Sequence, residues 1–141
     1  VQDNHSRSAR GVLRGLHYQR GAAVQDKLVR VVAGAVCDVV VDLRRSSPAY
    51  GRSATFMLDA REHHLLFVPA GCAHGFLSLA DGTDLLYKCS RPYDPTQEAG
   101  IAWDDPDLGI AWPLDGLTPQ LAARDRAWPR LRDVPAAELF A

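Results

Sequence analysis

Residues 11–19 read GVLRGLHYQ and set Arg14, His17 and Tyr18 into an otherwise apolar, β-prone run, with Gly15 between the arginine and the histidine. Side chains on a regular strand alternate between two faces, so Arg14 and His17 would point opposite ways. A bulge at Gly15 would re-aim one of them and let both look into a single cleft. An edge strand with a solvated arginine and a hydrogen-bonded histidine accounts for the same residues. The stretch alone leaves both readings open.

The same texture recurs outward from it. Residues 12–19, 27–32, 36–43, 53–58, 64–68, 72–79 and 84–89 are short and rich in Val, Leu, Phe or Tyr, and turn signals such as Ala33-Gly34, Ser47-Pro48, Pro69-Ala70-Gly71 and Asp81-Gly82 separate them. Such spacing predicts an all-β antiparallel sandwich or barrel rather than β-α-β units. Within residues 36–43, period two puts Cys37, Val39, Val41 and Leu43 on a core face. Val36, Asp38, Val40 and Asp42 share the other face, which lines an interior cavity or meets water. From Tyr93 the texture turns to Pro, Asp and Trp, predicting ordered loops anchored by Trp103 and Trp112. A weak helical pattern follows over 116–127, and a closing turn over 133–140. No repeat or linker divides the chain, so residues 1–141 read as one domain.

The chain has 141 residues, 47% hydrophobic and 23% charged, which is enough to bury a core without a metal or disulfide staple. A net charge of −1 argues against phosphate-driven binding of nucleic acid. No apolar run reaches membrane-spanning length, since residues 31–41 are interrupted by Asp38. Cys37, Cys72 and Cys89 lack CxxC spacing, and Cys37 and Cys89 read as buried small hydrophobes of a reducing, cytoplasmic compartment. No signal peptide is visible, although VQDNHS opens in mid-pattern.

Several polar groups sit where chemistry is possible. Pro69-Ala70-Gly71-Cys72-Ala73-His74 has the PxGxxH pattern of the second cupin motif, whose histidine can ligate a metal. A metal site also needs an HxH pair and a carboxylate on an earlier strand, and only His17 stands there. His74 is therefore expected as a pocket wall or hydrogen-bond donor, with no metal and no cofactor. That leaves proton chemistry. His17 is the candidate base, because imidazole titrates near operating pH. Lys27 opens the next strand, where it serves an anion or a developing oxyanion, or else a solvated strand end. Tyr87 in LLYKC is a candidate proton donor, and equally a core tyrosine.

Taken together, QDNHSRS, GVLRGLHYQ, KLVRVVAGAVCDVVVDLRRSSPAYG, VPAGCAHGFLSL, LLYKC and the YDP…E…I.W.DP…I.WP run resemble, in order and spacing, the dTDP-4-dehydrorhamnose 3,5-epimerase family. The resemblance extends from residue 1 almost to residue 140. It implies a cupin double-sheet jelly roll with a loop-rich, weakly helical C-terminal part, dimeric and metal-independent. The implied activity is epimerisation of a dTDP-4-keto-6-deoxyhexose such as dTDP-4-keto-6-deoxyglucose, in nucleotide-sugar biosynthesis. His17 matches the family's base, and Asp125 in LAARD matches the carboxylate that orients it. Lys27 matches the enolate-stabilising residue and Tyr87 the acid on the opposite face. Arg14, His74, Gln2 and Asn4 match substrate-holding positions, as do Tyr93, Glu98 and Arg124.

Two departures stand out. Arg124 occupies a position where the family often has lysine. The family also carries a segment ahead of VQDNHS, with a DxRG-type motif, that the sequence as given lacks. Alternative readings are a mono-epimerase of an antibiotic-sugar pathway, a ketoisomerase on the same barrel, a cupin that binds a nucleotide sugar without turnover, and, more distantly, a metal-dependent oxygenase.

Overall fold

Residues Ala35–Asp42 form a strand buried on both faces. Cys37, Val39 and Val41 have no exposed surface, as the alternation requires, but neither do Val36 and Asp38 on the other face. Only Ala35 and Val40 keep partial exposure. The computed structural model, which describes residues 1–141, shows why. Nine strands run in chain order: β1 (Gln2–Ser8), β2 (Leu13–Gln19), β3 (Lys27–Ala33), β4 (Ala35–Asp42), β5 (Ser53–Asp59), β6 (Leu66–Val68), β7 (Cys72–Ser78), β8 (Thr83–Cys89) and β9 (Glu98–Gly100). A single helical turn, α1 (Ala123–Arg126), follows them. The strands pair antiparallel into a four-stranded sheet, β1-β8-β3-β6, and a five-stranded sheet, β5-β4-β7-β2-β9.

Two apolar clusters result. Val29, Val31 and Leu85 of the four-stranded sheet meet Val36, Leu58 and Phe76 of the five-stranded sheet in the space between them. A larger cluster lies on the outer side of the five-stranded sheet. There Leu13, Leu16, Tyr18, Cys37, Val39, Val41 and Leu77 are covered by Ile101, Leu131 and Val134, with Trp103, Trp112 and Phe140 packed against them. The proline- and tryptophan-rich C-terminal segment is thus a cover over one sheet. Trp112 is fixed by an Nε1–H bond to the Trp103 carbonyl, 2.9 Å. The expected helix over 116–127 shrinks to the one turn of α1: Leu121 packs onto the outer cluster while Leu117 stays exposed. The expected strand over 64–68 begins at Leu66, since His63 takes a left-handed conformation, φ 56°, and turns the chain outward.

β1 is a strand the sequence pattern does not announce. QDNHSRS lacks apolar alternation, yet it pairs with β8 from Gln2↔Cys89 to Ser8↔Thr83. Its inward side chains, Gln2, Asn4, Ser6 and Ser8, are all polar. Gln2 and Asn4 are polar because they line a cavity at that end, and Ser8 accepts a bond from Arg14.

Asp42 closes β4 and accepts from Arg44 Nε and Nη2, both at 3.0 Å, and from the Ser47 hydroxyl at 2.6 Å. Burial alone would raise its carboxyl, but these bonds hold it down at about 2, against an ordinary 3.8. A carboxyl depressed in this way adds stability above its unfolded value, and that stability drains away as pH falls through the folded one. D42N is therefore expected to lose about 2 kcal/mol at neutral pH. The deficit should vanish by about pH 2 when parent and variant are unfolded by denaturant across the acid range.

Candidate active site

The bulge at Gly15 builds the site. β2 and β7 lose register between Arg14↔Phe76 and His17↔His74. Gly15 has φ 125°, and a Cβ there would stand 2.6 Å from Gly75 Cα. Gly75 is equally constrained, since its Cβ would meet the Arg14 carbonyl at 2.6 Å. This contact of bare backbones sends Leu16 and Tyr18 into the outer cluster and leaves His17 on the inner side of the sheet. His17 faces a cavity of about 350 Å³. Gln2, Asn4, Lys27, Tyr87, Tyr93, Glu98 and Arg124, all singled out in the sequence, line it as well.

Asp125, 108 residues away, meets His17 from α1: Nε2–H of the ring donates to Oδ1 at 2.5 Å. That bond makes Nδ1 the basic nitrogen of the ring. Asp125 is 2% exposed and takes two further bonds, from Trp128 Nε1–H to Oδ1 at 3.0 Å and from the Gly15 amide to Oδ2 at 3.3 Å. Burial pushes its carboxyl up, and the bonds from His17, Trp128 and Gly15 more than offset this, so it lies below the usual range and stays ionised. Arg124 Nε lies 3.9 Å from the same Oδ1. Arg124 Nη1 donates to Glu98 Oε2 at 2.6 Å, and the Tyr93 hydroxyl donates to that same oxygen at 3.0 Å. Tyr93, Glu98 and Arg124 thus form one linked rim.

The opposite wall comes from the four-stranded sheet, where Gln2, Cys89 and Lys27 form one row across β1, β8 and β3, with Asn4 and Tyr87 in the next. Burial lowers the Lys27 ammonium, while Cys89, Asp38 and Glu98 pull it the other way. Its Nζ lies 5.9 Å from the centre of the Tyr87 ring. Burial pushes the Tyr87 phenol up, and the positive Arg14 and Arg124 offset only part of this, so the hydroxyl keeps its proton. Gln2 Nε2 donates to Asn4 Oδ1 at 2.8 Å, and Gln2 Oε1 accepts from the Tyr93 amide at 2.7 Å.

Two candidates stand outside the cavity lining. Arg14 is exposed and donates from Nε to the Ser8 hydroxyl, 3.2 Å. His74 is 7% exposed, with Nε2 held between both Asp38 oxygens at 2.9 Å, so it stands behind His17 instead of lining the cavity. That bond also accounts for the fully buried Asp38, which the alternation left facing either a cavity or water. The three cysteines are free, and Cys89 is buried as its apolar run suggests, yet it borders the cavity and accepts a 3.6 Å bond from Asn4 Nδ2. Trp128 and Gln25 escaped the sequence reading. Trp128 stands three residues after Asp125, just past the end of α1. Gln25 carries a buried Oε1 without a partner at the cavity wall. Nowhere do three His, Cys, Asp or Glu side chains converge as metal ligands.

Comparison with known proteins bears on this geometry. The family model described as dTDP-4-dehydrorhamnose 3,5-epimerase matches residues 1–133. A dTDP-4-dehydrorhamnose 3,5-epimerase of Methanothermobacter thermautotrophicus is 48% identical over 136 residues, covering 96% of this chain and 73% of the relative. Among solved structures, a Legionella pneumophila 3,5-epimerase in complex with dTDP-4-keto-L-rhamnose superposes with a TM-score of 0.95 at 45% identity, over 99% of this chain and 73% of that one. A 3'-monoepimerase of Streptomyces bikiniensis in complex with dTDP-quinovose superposes with a TM-score of 0.88 at 44% identity, over 93% of this chain and 66% of that one.

Proposed function

Because the chain belongs to the dTDP-4-dehydrorhamnose 3,5-epimerase family, we propose that the cavity between its sheets carries out that family's reaction. The protein is an isomerase that inverts a dTDP-4-keto-6-deoxyhexose at C3, C5 or both by removing and returning a proton. One observation carries the residue assignment: a hydrogen-bonded imidazole and a protonated phenol enter one cavity from two different sheets. Inversion needs that opposition, since a single group working from one side returns the proton where it was taken.

The 4-keto group acidifies the hydrogens at C3 and C5. His17 Nδ1 takes one of them, and Asp125 holds the ring in the tautomer that leaves Nδ1 free and supports the imidazolium that forms. Charge moves from the carbon to the ketone oxygen, where Lys27 supplies an N–H donor at the enolate. The Tyr87 hydroxyl then gives its proton to the other face of the same carbon. His17 loses the abstracted proton to water and Tyr87 regains one, so the cycle ends with both groups as they began. Gln2, Asn4, Tyr93, Glu98 and Arg124 hold the sugar nucleotide, with Arg124 supplying positive charge for its diphosphate. Arg14 and His74 act from outside the cavity lining, Arg14 through the field at Tyr87 and His74 from behind His17.

The test is deuterium uptake from heavy water into dTDP-4-keto-6-deoxyglucose, with the position of the label read by mass spectrometry and NMR. Label at C3 and C5 supports double epimerisation, label at one carbon identifies a mono-epimerase, and no label above the enzyme-free control overturns the reading. Y87F is expected to keep most of the wash-in at the attacked carbon while net inversion slows by about 10²-fold. An equal loss of both would remove Tyr87 from the role of acid.

The same reading includes a cytoplasmic homodimer. The outer face of the four-stranded sheet presents Val32, Leu65, Phe67 and Leu86, each more than a third exposed, a patch suited to a second copy. Sedimentation of the purified protein tests it. No helix of the chain is long and apolar enough to cross a membrane.

A further inference from the structure

We infer that Trp128 is a positioning residue for the base: its indole N–H fixes the Asp125 carboxylate, and through it the tautomer and orientation of His17. The inference rests on the proton-abstraction reading above.

Three observations converge on it. Trp128 Nε1 lies 3.0 Å from Asp125 Oδ1, the same oxygen that accepts from His17 Nε2. The indole also stands edge-on to the imidazole, ring centres 6.1 Å apart at an interplanar angle of 74°. Finally, the chain makes room for it, since a Cβ on Gly100 would come within 2.5 Å of the indole ring. Gly100 is the register partner of His17 on β9, so a side chain there would push the indole away from the pair.

A carboxylate on a one-turn helix has freedom to rotate away from a histidine on a strand. The Gly15 amide holds Oδ2, and the indole holds Oδ1 in the orientation that meets Nε2. A donor on the carboxylate also disperses its charge, which weakens its pull on the imidazole proton. Removing the indole N–H therefore has two separable effects. The ring is held less firmly, which slows proton abstraction. The pair also binds its proton more tightly, which moves the acid limb of the rate profile to higher pH.

Other charged groups face the pair. Arg124 and Glu98 approach from α1 and β9, and Lys27 and Tyr87 from the opposite sheet. The His74–Asp38 pair lies behind His17 on β7 and β4. Arg14 sits on β2 itself. None of these is altered by changing Trp128.

W128F keeps an aromatic ring near Gly100 and His17 while removing the donor and part of the bicycle. Expected are a kcat about tenfold lower, an acid limb of kcat/KM displaced upward by about half a pH unit or more, and a melting temperature near that of the parent. The same upward displacement is expected in the NMR-detected titration of the histidine–aspartate pair in the ligand-free protein. An unmoved acid limb and an unmoved NMR midpoint overturn the inference and reduce Trp128 to packing. Because the NMR titration needs no substrate, it decides the question even if the parent shows no turnover, an outcome that sinks the functional reading separately. Should W128F fail to fold, 3-benzothienylalanine at this position keeps the bicyclic shape without the N–H and is read in the same way.

Discussion

H17N is expected to lower turnover of dTDP-4-keto-6-deoxyglucose by roughly 10³-fold while leaving nucleotide-sugar binding within about threefold of the parent. The split follows from the geometry. His17 contributes one wall position of a cavity whose remaining polar groups are held by each other: Gln2 by Asn4, and Glu98 by Tyr93 and Arg124. Asparagine is too short to put its amide where Nε2 stood, but the Gly15 amide and the Trp128 indole still donate to Asp125, so the buried carboxylate is not abandoned, and asparagine has no basic nitrogen. Calorimetry of binding and deuterium wash-in measured on the same preparation separate the two effects. Wash-in that survives the substitution would take the base away from His17. Loss of binding together with wash-in would make His17 a substrate contact first.

G15A should be among the most damaging single changes in the chain. A methyl group at this position meets Gly75 Cα at 2.6 Å and the His74 carbonyl at 2.9 Å, and both neighbours are backbone that cannot swing aside. The φ of 125° is also one that side chains rarely adopt. Overpacking and backbone strain together cost roughly 3 kcal/mol, which for a chain of this length lowers the melting temperature by about 10 °C. The Gly15 amide also donates to Asp125, so whatever G15A protein folds should show a weakened base. Thermal unfolding by circular dichroism checks the first effect and wash-in on the folded fraction the second. A variant that melts with the parent would mean that β2 and β7 move apart easily at the bulge, and that the close approach is not what fixes His17.

Much of this was open to reading from residues alone, and the exceptions share a cause. The strands carrying His17, Lys27 and Tyr87 announce themselves by β-branched and aromatic runs, and a glycine between Arg14 and His17 is the local sign of the register shift. β1 stayed hidden because strand patterns are recognised by an apolar inner face, and here the inner face is polar, with Gln2 and Asn4 lining the cavity. The double burial of β4 stayed hidden for a complementary reason: alternation identifies two faces but not what lies beyond each, and the cover over the outer one comes from residues after position 100. Asp125 was reachable only through the family resemblance, because no local rule links it to a histidine 108 residues earlier. Trp128 carries no motif of its own, and its bond to Asp125 and edge contact with His17 set it apart from the tryptophans of the cover.

That cover has a kinetic side. The segment that seals the five-stranded sheet also delivers Asp125 and Trp128, and it follows every strand in chain order. The two sheets can therefore pair while His17 still lacks its carboxylate. On the proposed mechanism, a chain arrested at that stage has a finished sandwich and an unarmed base, and it leaves the substrate's acidic protons alone. In a denaturant series, activity should fail at lower concentration than the strand signal, with docking of the C-terminal cover as the last step that makes the enzyme competent.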